Sequence, residues 1–210
     1  MVEKLTLRTY VLIDNMQPQY AAITGSLVRG DVCLAGMAQL YLEVVPGSSV
    51  YGMLDVALKS GGAKPGFQIV EREYGEVELH SFDIDDVIYA GESMLAAAGL
   101  TKEDRISPTV VSQQIISRVN PYQAQLINRS DRYGSILVPG ESLLVMEIEP
   151  AAYVSLAVNE AEKNADIKII TFDVVGKYGR MFISGEISQV KSAQGAALAA
   201  MRDLGGGEAL

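Results

Sequence analysis

Positions 104 apart in this chain carry the same residue again and again. Glu43 and Glu147, Pro46 and Pro150, Ala57 and Ala161, Lys59 and Lys163, Lys64 and Lys168, Gly91 and Gly195, and Ala96 and Ala200 all match at that spacing. Val70, Tyr74 and Gly75 return as Val174, Tyr178 and Gly179. Pro18 is answered by Pro121 at a spacing of 103, so one residue was gained or lost before the first turn. A register held this long means that one supersecondary unit is built twice, which constrains the fold more than any composition does. Half of 210 is 105, and the short charged stretch Thr101 to Pro108 lies at the midpoint. The chain is therefore expected to form two domains, 1–105 and 106–210. Within the frame from Val70 to Gly75 only the middle differs: Glu71-Arg72-Glu73 in the first copy, Val175-Gly176-Lys177 in the second. A frame kept while its loop diverges marks a loop given a task in one copy.

Local patterns fill in each copy. Leu5 to Ile13 is rich in β-branched and aromatic residues and reads as a strand, as do Tyr20 to Val28 and Gln39 to Val45, with a turn at Arg29-Gly30-Asp31. After Pro46 and Ser48-Ser49, the residues Val50, Met53, Leu54, Ala57 and Leu58 fall three and four apart, which predicts one face of a helix. Glycines and Pro65 in Lys59 to Gly66 end it. Phe67 to Val70 and Val77 to Phe82 predict paired strands on either side of the divergent loop. The aspartates of Asp83-Ile84-Asp85-Asp86 suit the positive end of a helix over Val87 to Ala98, closed by Gly99. The second copy predicts strands Thr109 to Arg118, Ala124 to Arg129 and Ser142 to Ile148, with a turn over Asp131 to Gly134. Each copy then reads as three strands, helix, two strands, helix: an α+β fold with helices packed on an antiparallel sheet. The tail from Gly205 to Glu208 is expected to fray.

Composition removes several classes of function. A net charge of -9 speaks against a nucleic-acid surface, which needs clustered Lys and Arg. Divided at Arg105, the first half carries 8 basic and 15 acidic residues and the second 9 and 11, so the copies have diverged in charge. Apolar runs are too short to span a bilayer, and the first residues lack the apolar core of a signal peptide, which predicts a soluble cytoplasmic protein. Cys33 is the only cysteine and His80 the only histidine, so the usual metal clusters cannot be assembled and no cofactor is expected. Tyr89 and Glu92, three apart on a helix beside Asp83, Asp85 and Asp86, are the nearest approach to an acid-base site, but capping accounts for the aspartates. His80 has no catalytic partner in sequence and reads as a core or edge residue. Cys33 has no activating neighbour. Gly25-Ser26 and Gly47-Ser48-Ser49 lack the surroundings of a nucleophile elbow or a phosphate loop. The chain is not expected to be an enzyme.

The repeat, the Val175-Gly176-Lys177 loop before Tyr178-Gly179-Arg180, the strand ending in Ser184-Gly185-Glu186 and the alanine-rich helix after it resemble the bacterial microcompartment shell domain. Extra strands ahead of the first helix resemble its circularly permuted form. Leu7-Arg8-Thr9-Tyr10-Val11, Asp14 to Gln19, Val70-Glu71-Arg72, Leu126-Ile127-Asn128-Arg129, Glu149-Pro150-Ala151 and Asn159 to Lys163 are similar to the tandem-domain, trimer-forming shell proteins of carboxysomes. The resemblance runs from about Leu5 to Asp203. It implies a pseudohexameric homotrimer, tiled with other hexameric shell proteins into a polyhedral shell around Rubisco and carbonic anhydrase. It also implies a central pore gated by Glu71 and Arg72 that passes phosphorylated metabolites such as ribulose bisphosphate and 3-phosphoglycerate. Glu73, Val175, Gly176 and Lys177 are candidate lining residues, and two trimers can stack face to face.

The residues give that gate a physical basis. Adjacent strand residues point to opposite sides, so a small backbone rotation at a three-fold axis exchanges Glu71 for Arg72. Three carboxylates brought together repel, and an Arg72 from a neighbour relieves the repulsion, which makes a two-state element. The guanidinium fork also suits phosphate. Taken alone, a Glu-Arg-Glu turn is ordinary solvated surface, and Gly176-Lys177 reads equally as added positive charge or as a plain β-turn. Arg29, Arg129, Asp131 and Arg132 lie at turns and suit either an edge contact or solvent. Two other functions fit the residues: a trimeric regulatory protein that binds an anionic metabolite between subunits, and a shell protein of a catabolic microcompartment.

Overall fold

The computed structural model describes residues 5–204, so the expected fraying of Gly205 to Glu208 lies outside the described residues. Two compact units share the chain, one ending at Ser107 and the other running from Pro108 to Leu204.

The first unit opens with β1 (Thr6–Ile13), then α1 (Pro18–Leu27), β2 (Ala38–Val45), α2 (Ser49–Ser60), β3 (Lys64–Glu71), β4 (Tyr74–Ser81) and α3 (Ile84–Ala98). Its strands form one antiparallel sheet in the order β1-β2-β4-β3. Alternation divides the sheet into two faces. Leu40, Leu42, Val44, Val77 and Leu79 pack with Val50, Met53 and Leu54 of α2 and with Val87, Ala90 and Met94 of α3. On the opposite face α1 reaches Gln39 through the Tyr20 hydroxyl, 2.6 Å from the amide oxygen.

The second unit repeats the plan with β5 (Thr109–Ile116), α4 (Pro121–Ser130), β6 (Ser142–Glu149), α5 (Val154–Asn164), β7 (Lys168–Asp173), β8 (Gly179–Gly185) and α6 (Ile187–Asp203). Its sheet order, β5-β6-β8-β7, is the same with the numbers advanced. A register shift between Leu7 and Thr9 recurs between Val110 and Ser112.

Two expected strands are helices. Tyr20 to Val28 falls on α1 and Ala124 to Arg129 on α4, so each unit reads strand, helix, strand, helix, strand, strand, helix. Their β-branched and aromatic content suggests strands, but Pro18 and Pro121 occupy first helical positions, where a missing N–H costs nothing. Buried Tyr20, Ala21, Ile23 and Thr24 follow a helical period rather than alternation. Asn120 caps α4 by accepting from the Tyr122 amide at 2.9 Å. Pro65 does not stop the chain either. It sits near the start of β3, an edge strand, where no ladder bond is lost.

The single-residue change in spacing has a location. The clamp of Gly30 N onto Gly66 O recurs as Gly134 N onto Ile170 O, 104 further on, whereas α1 and α4 match at 103. The extra residue therefore lies just beyond α4, between Asp131 and Tyr133. The end of a helix absorbs it without disturbing either layer.

Candidate functional site

β3 and β4 are joined by the tightest of hairpins. Glu71 pairs with Tyr74, leaving only Arg72 and Glu73 as the loop. Arg72 takes φ 54°, a left-handed conformation uncommon for a residue with a Cβ. Both loop residues and Glu71 are exposed. The Arg72 Nε lies 3.4 Å from Glu71 Oε1 in the same chain, with the two side chains 88% and 49% exposed. So open a pair contributes about 0–1 kcal/mol, which leaves both groups free to find other partners.

The mount beneath this tip is firm. The Arg8 guanidinium lies over the Tyr74 ring, 4.1 Å from its centroid, and its Nε contacts Glu43 Oε1 at 2.7 Å. Glu43 also accepts from Thr9. Burial and the neighbouring Glu73 carboxylate hold the Tyr74 phenol above its ordinary pKa. Gly75 explains why Tyr-Gly is kept in both copies. A Cβ there would meet the Gly47 carbonyl oxygen at 2.1 Å, and a Cβ on Gly179 would meet the Ala151 carbonyl oxygen at the same distance. Ala151 is Gly47 advanced by 104, so one close backbone approach is repeated.

In the second unit the β7–β8 connection runs from Val174 to Tyr178. Val175 N donates to Asp173 Oδ1 at 3.0 Å, and Gly176, the counterpart of Arg72, takes φ 105°. A glycine takes this positive φ, wider than that of Arg72, without strain. Lys177 lies over the Tyr178 ring at 5.0 Å and is exposed, while Val175 and Gly176 are half-buried. Each sheet thus brings its own candidate residues together at one hairpin tip. Arg8 was missed in sequence because its contact with Tyr74 joins residues from β1 and β4, which no local pattern connects.

The remaining candidates resolve into structural roles. Asp83 caps α3, accepting from Asp85 N at 3.0 Å, and Asp86 accepts from Gly62 N and the Ser81 hydroxyl. Tyr89 is exposed on α3. Cys33 is buried and its thiol is pushed up to about 12, first by burial and then by the Glu78 carboxylate, the reverse of an activated nucleophile. His80 is fully buried between Glu78 and Asp31. Arg132 donates to the Gly134 carbonyl. No helix among the described residues is long and apolar enough to cross a membrane.

Comparison with known proteins places this architecture. Residues 7–104 match a family model described as the CsoS1D N-terminal domain. The chain is 44% identical over 202 residues to the carboxysome shell protein CcmP of Synechococcus elongatus, covering 96% of this chain and 94% of that one. It is 40% identical over 200 residues to the carboxysome shell protein CsoS1D of Hydrogenovibrio crunogenus, covering 95% and 98%. Among solved structures, the fused permuted hexameric shell protein MSM0275 of the RMM microcompartment superposes with a TM-score of 0.92 at 38% identity, covering 97% of this chain and all of that one. The double ringed trimeric shell protein MSM0271 of the same microcompartment gives 0.93 at 34%, covering 98% of this chain. These relatives are shell proteins rather than enzymes, and both sheets match their permuted tandem domains. Identity above 40% across nearly the full length of both partners, with the same doubled sheet, means that this chain belongs to the tandem-domain carboxysome shell protein family.

Proposed function

We propose that this protein assembles as a pseudohexameric homotrimer in the carboxysome shell, with a central pore gated by Glu71 and Arg72. The observation that carries the gate is a loose pair on a rigid mount. Arg72 holds a left-handed backbone conformation at an exposed two-residue tip, weakly paired with Glu71, while Arg8, Tyr74 and Glu43 brace the strands below. Non-glycine residues held in such conformations cost free energy and cluster at switching sites. The second copy carries Gly176 at this position, also at positive φ but in a longer connection, so the repeat does not call for a non-glycine residue there. Glu73 and the loop Val175, Gly176 and Lys177 complete the lining in this proposal.

Self-association is supported by a difference between the repeats. Thr9 and Val11 on β1 are fully buried, whereas the matching positions on β5, Ser112 and Gln114, are exposed. An edge strand left open in one copy offers a surface to a second chain. Arg72, with its fixed fork of donors, favours anions, so phosphorylated C3 to C5 metabolites such as 3-phosphoglycerate and ribulose bisphosphate are the proposed passengers. Stacking of two trimers would place two such gates in series.

The direct test is the double variant Glu71→Ala, Arg72→Ala. It should keep the oligomeric state of the parent and lose the closed pore in structures of the assembled ring. A double variant whose pore still closes fully refutes the gate.

A further inference from the structure

The first sheet buries a polar cluster that the second has discarded. Gln39, Glu78 and His80 are fully buried on the face turned away from α2 and α3. Glu78 accepts from Gln39 Nε2 at 2.8 Å, from the Gly66 amide at 2.9 Å and from His80 Nδ1 at 3.0 Å. The other imidazole nitrogen, Nε2, lies 3.5 Å from Asp31 Oδ2 and has no hydrogen-bond partner. Asp31 belongs to the connection between α1 and β2, residues 28–37. This connection is clamped to β3 by the amides of Arg29 and Gly30 on Gly66 O and of Asp31 on Pro65 O. In the second unit the same backbone clamp is made by Tyr133 and Gly134 on Ile170 O and by Ser135 on Ile169 O. There, however, Leu143, Phe182 and Ser184 stand 104 positions beyond Gln39, Glu78 and His80. Two of these are apolar and the third, Ser184, donates to Glu141, so the clamp also holds without a fully buried ion pair, and buried ions rarely improve stability over apolar residues. What the polar version adds is a response to protons.

We propose that His80 is a protonation-dependent latch that holds the connection of residues 28–37 against the first sheet. As an imidazolium it presents an N–H to each carboxylate, Glu78 on its own strand and Asp31 on the connection. As a neutral ring with its single proton kept at Nδ1 for Glu78, it turns a lone pair toward the Asp31 carboxylate, and attraction becomes repulsion. Other groups pack around it. Tyr20 from α1 and Tyr41 from β2 are raised by burial, Cys33 from the connection sits at about 12, and Gln39 carries no charge. Lys64, the register partner of His80 on β3, is exposed to solvent. Burial pushes the His80 pKa down, but Glu78 and Asp31 outweigh it, so the net shift is upward from 6.5. A raised folded pKa means that the latch is fully engaged below the unfolded value and is lost as pH climbs through the folded one. Opening would move Val32 and Leu34, the exposed apolar residues flanking Cys33.

His80 is the only histidine, so histidine-selective NMR on the untagged full-length chain reports a single site. Its midpoint should lie above 6.5 and fall in Asp31→Asn, a near-isosteric change at an exposed side chain. Amide exchange of residues 29–35, corrected for intrinsic rates, should quicken as pH crosses that midpoint, by up to about tenfold per unit of upward shift. Residues 133–139, which have no histidine beside them, serve as the internal control and should show no such step. A midpoint at or below that of ordinary histidine overturns the latch. So does exchange at 29–35 that merely tracks 133–139, or a midpoint unmoved by Asp31→Asn.

Discussion

Single residues carry the difference between the two hairpin tips. Arg72 and Gly176 both take positive φ at matching positions, one at a cost and one without. Arg72→Gly should therefore leave the fold at least as stable as the parent, gaining at most about 1 kcal/mol in chemical denaturation, because relief of the left-handed strain offsets the added freedom of the unfolded chain. A clear loss of stability would show that the Arg72 side chain braces the fold rather than serving the tip. Gly75 is the opposite case. Gly75→Ala drives a Cβ against the Gly47 carbonyl and should cost about 3 kcal/mol, read from the denaturation midpoint. The Glu71-Arg72-Glu73 segment is visible in sequence as the divergent centre of a kept frame. Its brace is not, because Arg8 and Tyr74 meet only when β1 and β4 are brought beside β2.

At the scale of elements, the two short helices show where local pattern misleads. Tyr20, Ile23, Thr24 and Val28 are strand-like residues, yet the proline at the first position and burial on adjacent turns decide for α1. The caps of the two copies differ. Asn120 bonds the Tyr122 amide, while Gln17 makes no side-chain cap on α1. Asn120→Ala should destabilise the protein by about 1 kcal/mol and Gln17→Ala by much less, a contrast that thermal or denaturant unfolding resolves. The longer helices were legible because their apolar residues fall three and four apart; Gly99 ends α3 as expected, while the Asp83 cap starts it at Ile84 rather than at Val87. β3 was harder to bound, since Pro65 and Gly66 look like loop until the edge position is known.

For the whole molecule, pH should act on the two units from opposite sides. In the second unit, Glu147 is held below the ordinary glutamate pKa by Ser112 and Arg180; Glu141 is raised by burial but lowered further by Lys168, Val138 N and Ser184. Depressed carboxylates contribute stability above their unfolded pKa and lose it as pH falls through the folded value, so exchange in the second unit should rise on acidification. The first unit, with His80 raised, should instead loosen on the alkaline side. Exchange that rises equally in both units at both extremes would contradict this division. The proposed trimer has its own test: Gln114→Trp on the open face of β5 should reduce self-association in light scattering while leaving circular dichroism unchanged. In reconstituted shells, anionic C3 to C5 phosphates should permeate better than neutral sugars of similar size, and equal permeation would remove charge selection from the proposed gate. By itself, the sequence determined the duplication, the α+β class, the long helices and the position of the divergent loop, because identity at fixed spacing and helical periodicity are written along the chain. Only the tertiary structure decided that the segments after Pro18 and Pro121 coil, that Arg8 braces Tyr74 and that His80 lies between two carboxylates. Those outcomes depend on which residues share a sheet face and how deeply they are buried, and strand order sets both.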